Sequence, residues 1–126
     1  MKIRIYYHHT DCGGVVYYAK YLEFLEDART ELFDQRGISV KELIRQGVLF
    51  VVARQEIDYK SPAFYGDTLK IGTRISKVGR SKIEFTYEIE NQNQQIISQA
   101  KTVLVCVDKA LKPVSIPEEM RKKLVE

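Results

Sequence analysis

The chain has 126 residues, of which 44% are hydrophobic and 29% are charged, and its net charge at pH 7 is +3. This length fits one domain over residues 1–126, and the balanced composition argues against a fibrous repeat or a disordered chain. Acidic and basic residues are mixed along the sequence. The dense basic face of a nucleic-acid-binding protein is therefore not expected.

The longest apolar run covers residues 48–53, far short of the roughly 20 residues that a membrane-spanning helix needs. We therefore expect no membrane insertion. The N-terminal residues Met1–Ile5 lack the apolar core and the cleavage site of a secretory signal, which predicts a cytoplasmic protein. Cys12 and Cys106 are too few for a disulfide framework and lack CxxC spacing, so both are expected to be free thiols.

The first half of the chain predicts one strand followed by two helices. Residues 2–7 form the strand, and a loop that contains glycines follows at 8–14. From about 16 to 36 the apolar residues recur with helical spacing, and 39–46 has a capping-box start that predicts a short second helix. The apolar stripe of the long helix consists of Tyr18, Tyr21, Leu22, Leu25, Ala28 and Leu32.

After Gly47 the hydrophobic period changes to two, which predicts strands. These strands cover residues 48–60, 69–76, 83–90 and 96–107, and a short charged helix is predicted at 117–126. The last strand is apolar on both faces, which indicates a central position covered on both sides. Because one long helix covers only one face of a five-stranded antiparallel sheet, part of the other face is expected to meet another copy of the chain, as a homodimer or homotetramer.

The segment from Asp11 to Tyr21 is the most informative about chemistry, because it combines an acid, the pair Gly13–Gly14 and a helix start. A helix N-terminus offers unpaired N–H groups to an oxyanion, and a carboxylate can attack an acyl carbon or activate water. A fully extended chain would separate Asp11 from Tyr18 by up to roughly 23 Å, so the glycines must fold the loop. This arrangement is typical of an acyl-transfer site.

Four stretches resemble one known family. They are Asp11-x-x-Gly14-Val15-Val16-Tyr17-Tyr18-x-x-Tyr21, Glu26-x-Ala28-Arg29, Pro62-Ala63-x-Tyr65-Gly66-Asp67 and Val103-Leu104-Val105-Cys106-Val107-Asp108. With this order of elements, the chain resembles the hotdog-fold 4-hydroxybenzoyl-CoA thioesterase family almost end to end. Within that family it looks most like the acyl-CoA thioesterases associated with the Tol-Pal system. The resemblance implies an α+β hotdog fold, in which a five-stranded antiparallel sheet wraps around one long central helix.

The resemblance also implies hydrolysis of an acyl-CoA thioester to a free acid and CoA, without a metal or a redox cofactor. Asp11 occupies the position of the catalytic carboxylate, and Tyr18 the position whose backbone N–H hydrogen-bonds to the thioester carbonyl. The turn 79–82 matches the region where basic side chains hold the CoA phosphates. The residues expected to bind substrate are Gly14, Val15, Tyr17, Lys60, Arg80, Ser81 and Lys82.

The residues leave several roles open. The Asp11 carboxylate acts either as a nucleophile or as a general base, and the plainer interpretation is that it only caps a turn or helix. The side chains of Tyr17, Tyr18 and Tyr21 are expected to pack in the core. Glu26-x-x-Arg29 has the spacing of a structural ion pair or an interface contact.

Two alternative chemistries are disfavoured. Cys12 lacks an orienting partner that would make it a nucleophile, and His8, His9 and Asp11 do not have a recognised zinc spacing. Two functions without catalysis compete with the enzyme: a protein that binds acyl-CoA or an acyl carrier protein, and a scaffold that acts through its oligomer surface. The acid, the glycine pair and the helix start favour the thioesterase. The acyl group, aliphatic or aromatic, is not specified by the sequence.

Overall fold

The computed structural model describes residues 1–125 and shows one antiparallel sheet of five strands around a long helix. The strand order is β1-β3-β4-β5-β2, so that β2 lies at one edge and pairs only with β5. The elements in chain order are β1 (Lys2–Arg4), a 3-10 turn (Tyr7–His9), α1 (Lys20–Gln35), α2 (Val40–Arg45), β2 (Leu49–Tyr59), β3 (Thr68–Val78), β4 (Lys82–Glu90), β5 (Ile96–Val107) and α3 (Glu118–Leu124).

Helix α1 begins at Lys20, and the prediction of a start near residue 16 was wrong. Val15 and Val16 instead form isolated β-bridges, with Phe64 and Thr10 respectively. β-branched side chains favour extended backbone, and these bridges hold the chain extended up to Tyr17. The N-terminal strand is also shorter than predicted, because residues 7–9 form the 3-10 turn.

The buried face of α1 is rotated relative to the predicted stripe. Tyr21, Leu25 and Ala28 are buried as expected, but Leu22 is exposed and Leu32 is only half-buried. The helix also buries Phe24, Arg29 and Phe33. Phe33 packs edge-on against Phe85 of β4, with ring centroids 5.7 Å apart. The core therefore lies between this face of α1 and the inner face of the sheet.

A β-bulge at Ala53 changes which residues of β2 face α1. Before the bulge Val52 pairs with Leu104, and after it Arg54 pairs with Val103, so Ala53 has no partner on β5. An extra residue reverses the alternation of side chains, because that alternation has a period of two. The predicted face of Ala53, Ile57 and Tyr59 is therefore wrong for Ala53, which is exposed.

Strand β5 lies between β4 and β2, which confirms that it is an interior strand, although the middle strand of the sheet is β4. The inner face of β5 is largely buried, and Val107 on the outer face is buried too, but Val103 and Val105 on that face are only half-buried beside polar neighbours such as Glu84. The single chain thus provides only part of the expected cover on the outer side. Helix α3 matches the prediction, except that Glu126 lies outside the described residues. Within residues 1–125, no helix is long and apolar enough to cross a bilayer.

Candidate active site

Asp11 lies in a tight hairpin that residues 10–16 form. Thr10 pairs with Val16, and the Asp11 N–H donates to the Val15 carbonyl at 2.9 Å. Gly14 has a φ of +82°, which a side chain would disfavour, so the glycine permits the reversal of the chain. The predicted folding of this loop is therefore confirmed.

The Asp11 carboxylate is exposed and only partly engaged. Its Oδ1 accepts a hydrogen bond from the Gly13 N–H at 2.7 Å, as in an Asx turn. In the described part of the chain, its Oδ2 accepts no hydrogen bond, and no Lys, Arg or His forms a salt bridge with it. One oxygen is thus oriented by the backbone, while the other remains accessible to a ligand.

The Tyr18 N–H is a second unused group beside the same hairpin. The Tyr17 N–H donates to the His9 carbonyl at 2.9 Å, and the Lys20 N–H donates to the Tyr17 carbonyl at 2.9 Å. No acceptor among residues 1–125 takes the Tyr18 N–H. Since Ala19 is the N-cap of α1, this donor lies just before the helix. The helix was expected to begin earlier, but a backbone donor is still available at the predicted residue.

A shallow pocket of ≈ 280 Å³ lies next to Tyr18. Its walls are mostly apolar, with Lys60 at one side, and they consist of Val15, Val16, Tyr18, Tyr21, Tyr59, Lys60, Ser61 and Pro62. Tyr21 is buried as predicted, and burial raises its pKa to about 12. The side chains of Tyr17 and Tyr18 are 42% and 62% exposed, so the prediction that they pack in the core was wrong. They lie on extended or turn backbone before α1 and therefore do not share its buried face.

The predicted site residues fall into two groups in one chain. Gly14, Val15, Tyr17 and Lys60 lie near the Asp11 hairpin, at the end of the sheet where β3 begins. Arg80 and Ser81 lie at the opposite end, in the turn between β3 and β4, and Lys82 follows them as the first residue of β4. β3 has 11 residues, so at about 3.3 Å per residue its two ends are roughly 35 Å apart. A single chain therefore does not bring the two groups together.

The β3–β4 turn is held by the C-terminal segment. Arg121 of α3 donates from Nη2 to the carbonyls of Gly79 and Arg80, each at 2.9 Å. The Arg80 Nε donates to the Ser115 hydroxyl at 2.8 Å. Arg121 was not predicted to contact this turn, because no local spacing in the sequence links a C-terminal helix to a turn about 40 residues earlier. Lys82 remains exposed.

Arg29 is buried and does not form the predicted ion pair with Glu26. Its Nη1 donates to the Tyr87 hydroxyl at 3.2 Å and to the Thr102 hydroxyl at 3.4 Å. The Thr102 hydroxyl in turn donates to the Gln55 side chain at 2.7 Å. This network joins α1 to three strands through neutral groups, so the role of Arg29 in the single chain is to hold the helix on the sheet.

The cysteine and the histidines near Asp11 do not form a reactive cluster. Cys12 is exposed and Cys106 is buried, and both are free thiols, as predicted. His9 Nδ1 accepts from the Tyr6 N–H at 2.9 Å, and the His8 and His9 rings lie 4.0 Å apart. Over residues 1–125, no three His, Cys, Asp or Glu side chains are placed to hold a metal ion.

Comparison with known proteins gives consistent matches over nearly the whole chain. The acyl-CoA thioester hydrolase YbgC of Escherichia coli O6:H1 is 37% identical over 119 residues, which cover 94% of this chain and 89% of that protein. The acyl-CoA thioesterase YbgC of Haemophilus influenzae is 38% identical over 121 residues, 94% of this chain and 88% of that protein.

The fold also matches solved structures. The crystal structure of Slr0204, a 1,4-dihydroxy-2-naphthoyl-CoA thioesterase from Synechocystis, superposes with a TM-score of 0.93 at 23% identity, over 100% of this chain and 94% of that one. The predicted α+β hotdog fold is therefore confirmed. The model of the thioesterase-like superfamily matches residues 6–124. The chain accordingly belongs to the thioesterase-like superfamily.

Proposed function

We propose that this protein is an acyl-CoA thioesterase, which hydrolyses an acyl-CoA thioester to a free acid and CoA. The observation that carries the assignment of the site is the presence of two unused groups in the segment from Asp11 to Tyr18. The Asp11 carboxylate forms no salt bridge within the described chain, and the nearby Tyr18 N–H has no acceptor there. The family membership and the acyl-CoA thioesterases among the relatives support the substrate class.

The groups that react in the proposed chemistry are the substrate, Asp11, the Tyr18 N–H and water. The thioester carbonyl oxygen accepts a hydrogen bond from the Tyr18 N–H, which stabilises the negative charge that develops on this oxygen. In one route Asp11 attacks the acyl carbon, the C–S bond breaks, and CoA leaves as a thiolate that takes a proton from solvent. Water then hydrolyses the mixed anhydride, which releases the free acid and restores the Asp11 carboxylate. In the other route Asp11 takes a proton from the attacking water, and that proton passes to the departing thiolate. Both routes require an ionised carboxylate.

The proposal includes a second copy of the chain. Two identical edge strands related by a two-fold axis pair antiparallel. Pairing of β2 with the β2 of another copy therefore places the Leu49 end of one chain beside the Tyr59 end of the other. The β3–β4 turn of one copy, with Arg80 and Lys82, then lies on the same side as Asp11 of the other. Strand β4 is two strands from β2, so about three spacings of 4.8 Å, roughly 14 Å, separate β4 from the β2 strand of the second copy.

The proposed assembly is therefore a homodimer, or a homotetramer made of two such dimers. Arg80, Lys82 and Lys60 supply positive charge for the CoA phosphates, and Arg80 can bind a phosphate through two parallel hydrogen bonds. An acyl carrier protein, whose prosthetic arm ends in the same thiol, is the second carrier included in this proposal. We also place the protein in the cytoplasm, where free thiols such as Cys12 stay reduced.

The decisive experiment compares wild type with Asp11→Asn on short aliphatic, long aliphatic and aromatic acyl-CoAs. Released CoA is followed with a thiol-trapping dye, and an enzyme-only baseline is subtracted because the Cys12 thiol is exposed. The asparagine keeps an oxygen that can accept from the Gly13 N–H but loses the negative charge. We expect kcat to fall by about 100-fold or more, with an unchanged thermal midpoint.

The outcomes separate the competing functions. Thiol release by wild type that the substitution abolishes supports the proposed enzyme. If acyl-CoA raises the thermal midpoint of the protein but no thiol is released, the protein is a binding protein instead. If the protein responds neither to acyl-CoA nor to the substitution, it is a scaffold. Full activity of Asp11→Asn at saturating substrate would remove Asp11 from the mechanism while leaving the activity itself intact.

A further inference from the structure

The last residue of β2, Tyr59, makes a hydrogen bond to the backbone of Tyr18. The Tyr59 hydroxyl donates to the Tyr18 carbonyl at 3.1 Å. Its ring lies edge-on to the ring of Tyr21, at 5.5 Å between centroids, and to that of Tyr18, at 6.4 Å. Burial raises the pKa of the Tyr59 phenol above its usual value, so the hydroxyl keeps its proton at neutral pH and can donate.

This bond acts on the turn that leads into the helix, where the Tyr18 carbonyl also accepts a longer hydrogen bond from the Tyr21 N–H, at 3.4 Å. Helix α1 begins at Lys20, and its N-cap, Ala19, has no side-chain capping bond. The Tyr17 N–H is anchored to the His9 carbonyl at 2.9 Å. The Tyr18 carbonyl is anchored by Tyr59 on the other side. The Tyr17 carbonyl, which is in the same peptide group as the Tyr18 N–H, accepts from the Lys20 N–H at 2.9 Å. The direction of the Tyr18 N–H therefore depends on this bond together with the anchors on either side of it.

The bulge in β2 makes the contact possible. After the bulge at Ala53, Gln55, Ile57 and Tyr59 pair with Thr102, Ala100 and Ser98, on the side of the sheet that α1 covers. Without the extra residue, the alternation along β2 would direct the Tyr59 side chain to the opposite face. The bulge in β2 therefore places the Tyr59 hydroxyl beside the turn before α1.

We propose that Tyr59 is a positioning residue for the oxyanion donor: its hydroxyl fixes the Tyr18 carbonyl and thereby aims the Tyr18 N–H at the thioester carbonyl oxygen. This inference rests on the proposed thioesterase function. A hydrogen-bond donor contributes to catalysis only when it already points to where charge develops in the transition state. Loss of the anchor frees the Tyr18–Ala19 peptide, to which the Tyr18 carbonyl belongs, and this lets the adjoining Tyr17–Tyr18 peptide shift. The shift lowers the rate of the chemical step and leaves the acyl-CoA binding surface in place.

The test is the variant Tyr59→Phe, which removes one oxygen and retains the ring contacts. We expect a five- to tenfold lower kcat, within what a single neutral hydrogen bond can supply, and a KM within about twofold of wild type. The matched control is Tyr65→Phe, because Tyr65 is 60% exposed and its hydroxyl makes no hydrogen bond within residues 1–125. The control is expected to keep wild-type kcat and KM.

A second measurement, by vibrational spectroscopy, reports directly on the hydrogen bond that the Tyr18 N–H donates. A ketone analogue of acyl-CoA, in which a methylene group replaces the sulfur, cannot be hydrolysed, and its carbonyl stretching frequency falls when the oxygen accepts a hydrogen bond. With the bound analogue, we expect a higher frequency in Tyr59→Phe than in wild type. Unchanged kcat or an unchanged frequency in the folded variant would overturn the positioning role. A wild-type protein that releases no thiol from any acyl-CoA would instead overturn the proposed function.

Discussion

At the scale of single residues, Asp11 is oriented by the glycine two positions after it. The Gly13 N–H holds Oδ1 at 2.7 Å, and a Cβ added to Gly13 would lie 3.2 Å from the same oxygen. This contact is tighter than ordinary packing, so a side chain at Gly13 would displace the carboxylate. Gly14 has open space around it, and its φ of +82° is the reason for a glycine there. The two neighbouring glycines thus serve different purposes.

Gly13→Ala tests the placement of the carboxylate. The alanine methyl group is expected to rotate the Asp11 side chain and lower kcat by about tenfold, because a small misplacement of a reacting group has a large effect on rate. Stability should change by less than about 1 kcal/mol, since Gly13 has no positive φ. Thiol release and thermal unfolding measure the two quantities.

Gly72→Ala is the matched control for this change. A Cβ at Gly72 would meet only the Glu88 carbonyl at 3.9 Å, an ordinary contact. It is expected to leave kcat unchanged. If both alanine variants lost activity equally, the effect of Gly13→Ala would not come from contact with Asp11.

At the scale of elements, the sequence predicted the strands that have a clear hydrophobic period of two. The alternation after Gly47 identified strands at 48–60 and 96–107, and the structure places them at Leu49–Tyr59 and Ile96–Val107. The bulge at Ala53 was not predictable, because one additional exposed alanine leaves no mark in the hydrophobic pattern. It is nevertheless the feature that determines the face on which Tyr59 lies.

The start of α1 is a second feature that could not be predicted from the sequence. Residues 16–19 have an apolar and aromatic composition that fits a helix, yet bridges to Thr10 and Phe64 keep Val16 and Val15 extended. These contacts come from tertiary structure, which overrides local helix propensity. The candidate site could therefore be proposed from the sequence as a set of residues around Asp11 and Tyr18. The hydrogen bonds of the candidate site, and its distance from Arg80, could be learned only from the folded structure.

The 3-10 turn Tyr7–His9 is an element whose stability should depend on pH. His9 packs edge-on against Phe24 of α1 at 5.2 Å, and its Nδ1 accepts from the Tyr6 N–H. Burial, followed by the charge of His8, lowers the pKa of His9 below the ordinary 6.5. The nearby Lys20 lowers this pKa further, and Glu23 opposes the shift.

The sign of the pH effect follows from this lowered pKa. The unfolded chain binds a proton at His9 more readily than the folded chain does, so the contribution of His9 is full above pH 6.5. It declines as the pH falls from 6.5 through the lower pKa of the folded state. We expect the fall in thermal midpoint between about pH 8 and about pH 5 to be smaller in His9→Gln than in wild type. Equal pH profiles would show that His9 contributes nothing to this fall.

At the scale of the whole molecule, the two ends of the sheet carry the two halves of the proposed site. The carboxylate hairpin and Lys60 lie at one end, and the turn with Arg80 and Lys82 lies at the other. Each half has its own support, since Arg121 holds the basic turn and the Thr10–Val16 bridge holds the hairpin. A two-fold pairing of β2 edges brings unlike halves from two chains to the same side. Assembly and activity should therefore be lost together.

Val52→Lys tests this link between assembly and activity. Val52 lies on the edge strand and is 53% exposed, so in the proposed dimer the substitution places a charge from each chain at the shared interface. Charged residues on an edge strand oppose pairing with another strand. The matched control, Ile44→Lys, adds the same charge at a residue of α2 that is also 53% exposed.

Light scattering after size exclusion is expected to show a monomer for Val52→Lys only. The kcat/KM of this variant is expected to be at least about tenfold lower, because Arg80 and Lys82 no longer reach the other chain's Asp11. A fully active monomer would separate catalysis from the β2 edge and place the phosphate contacts within one chain.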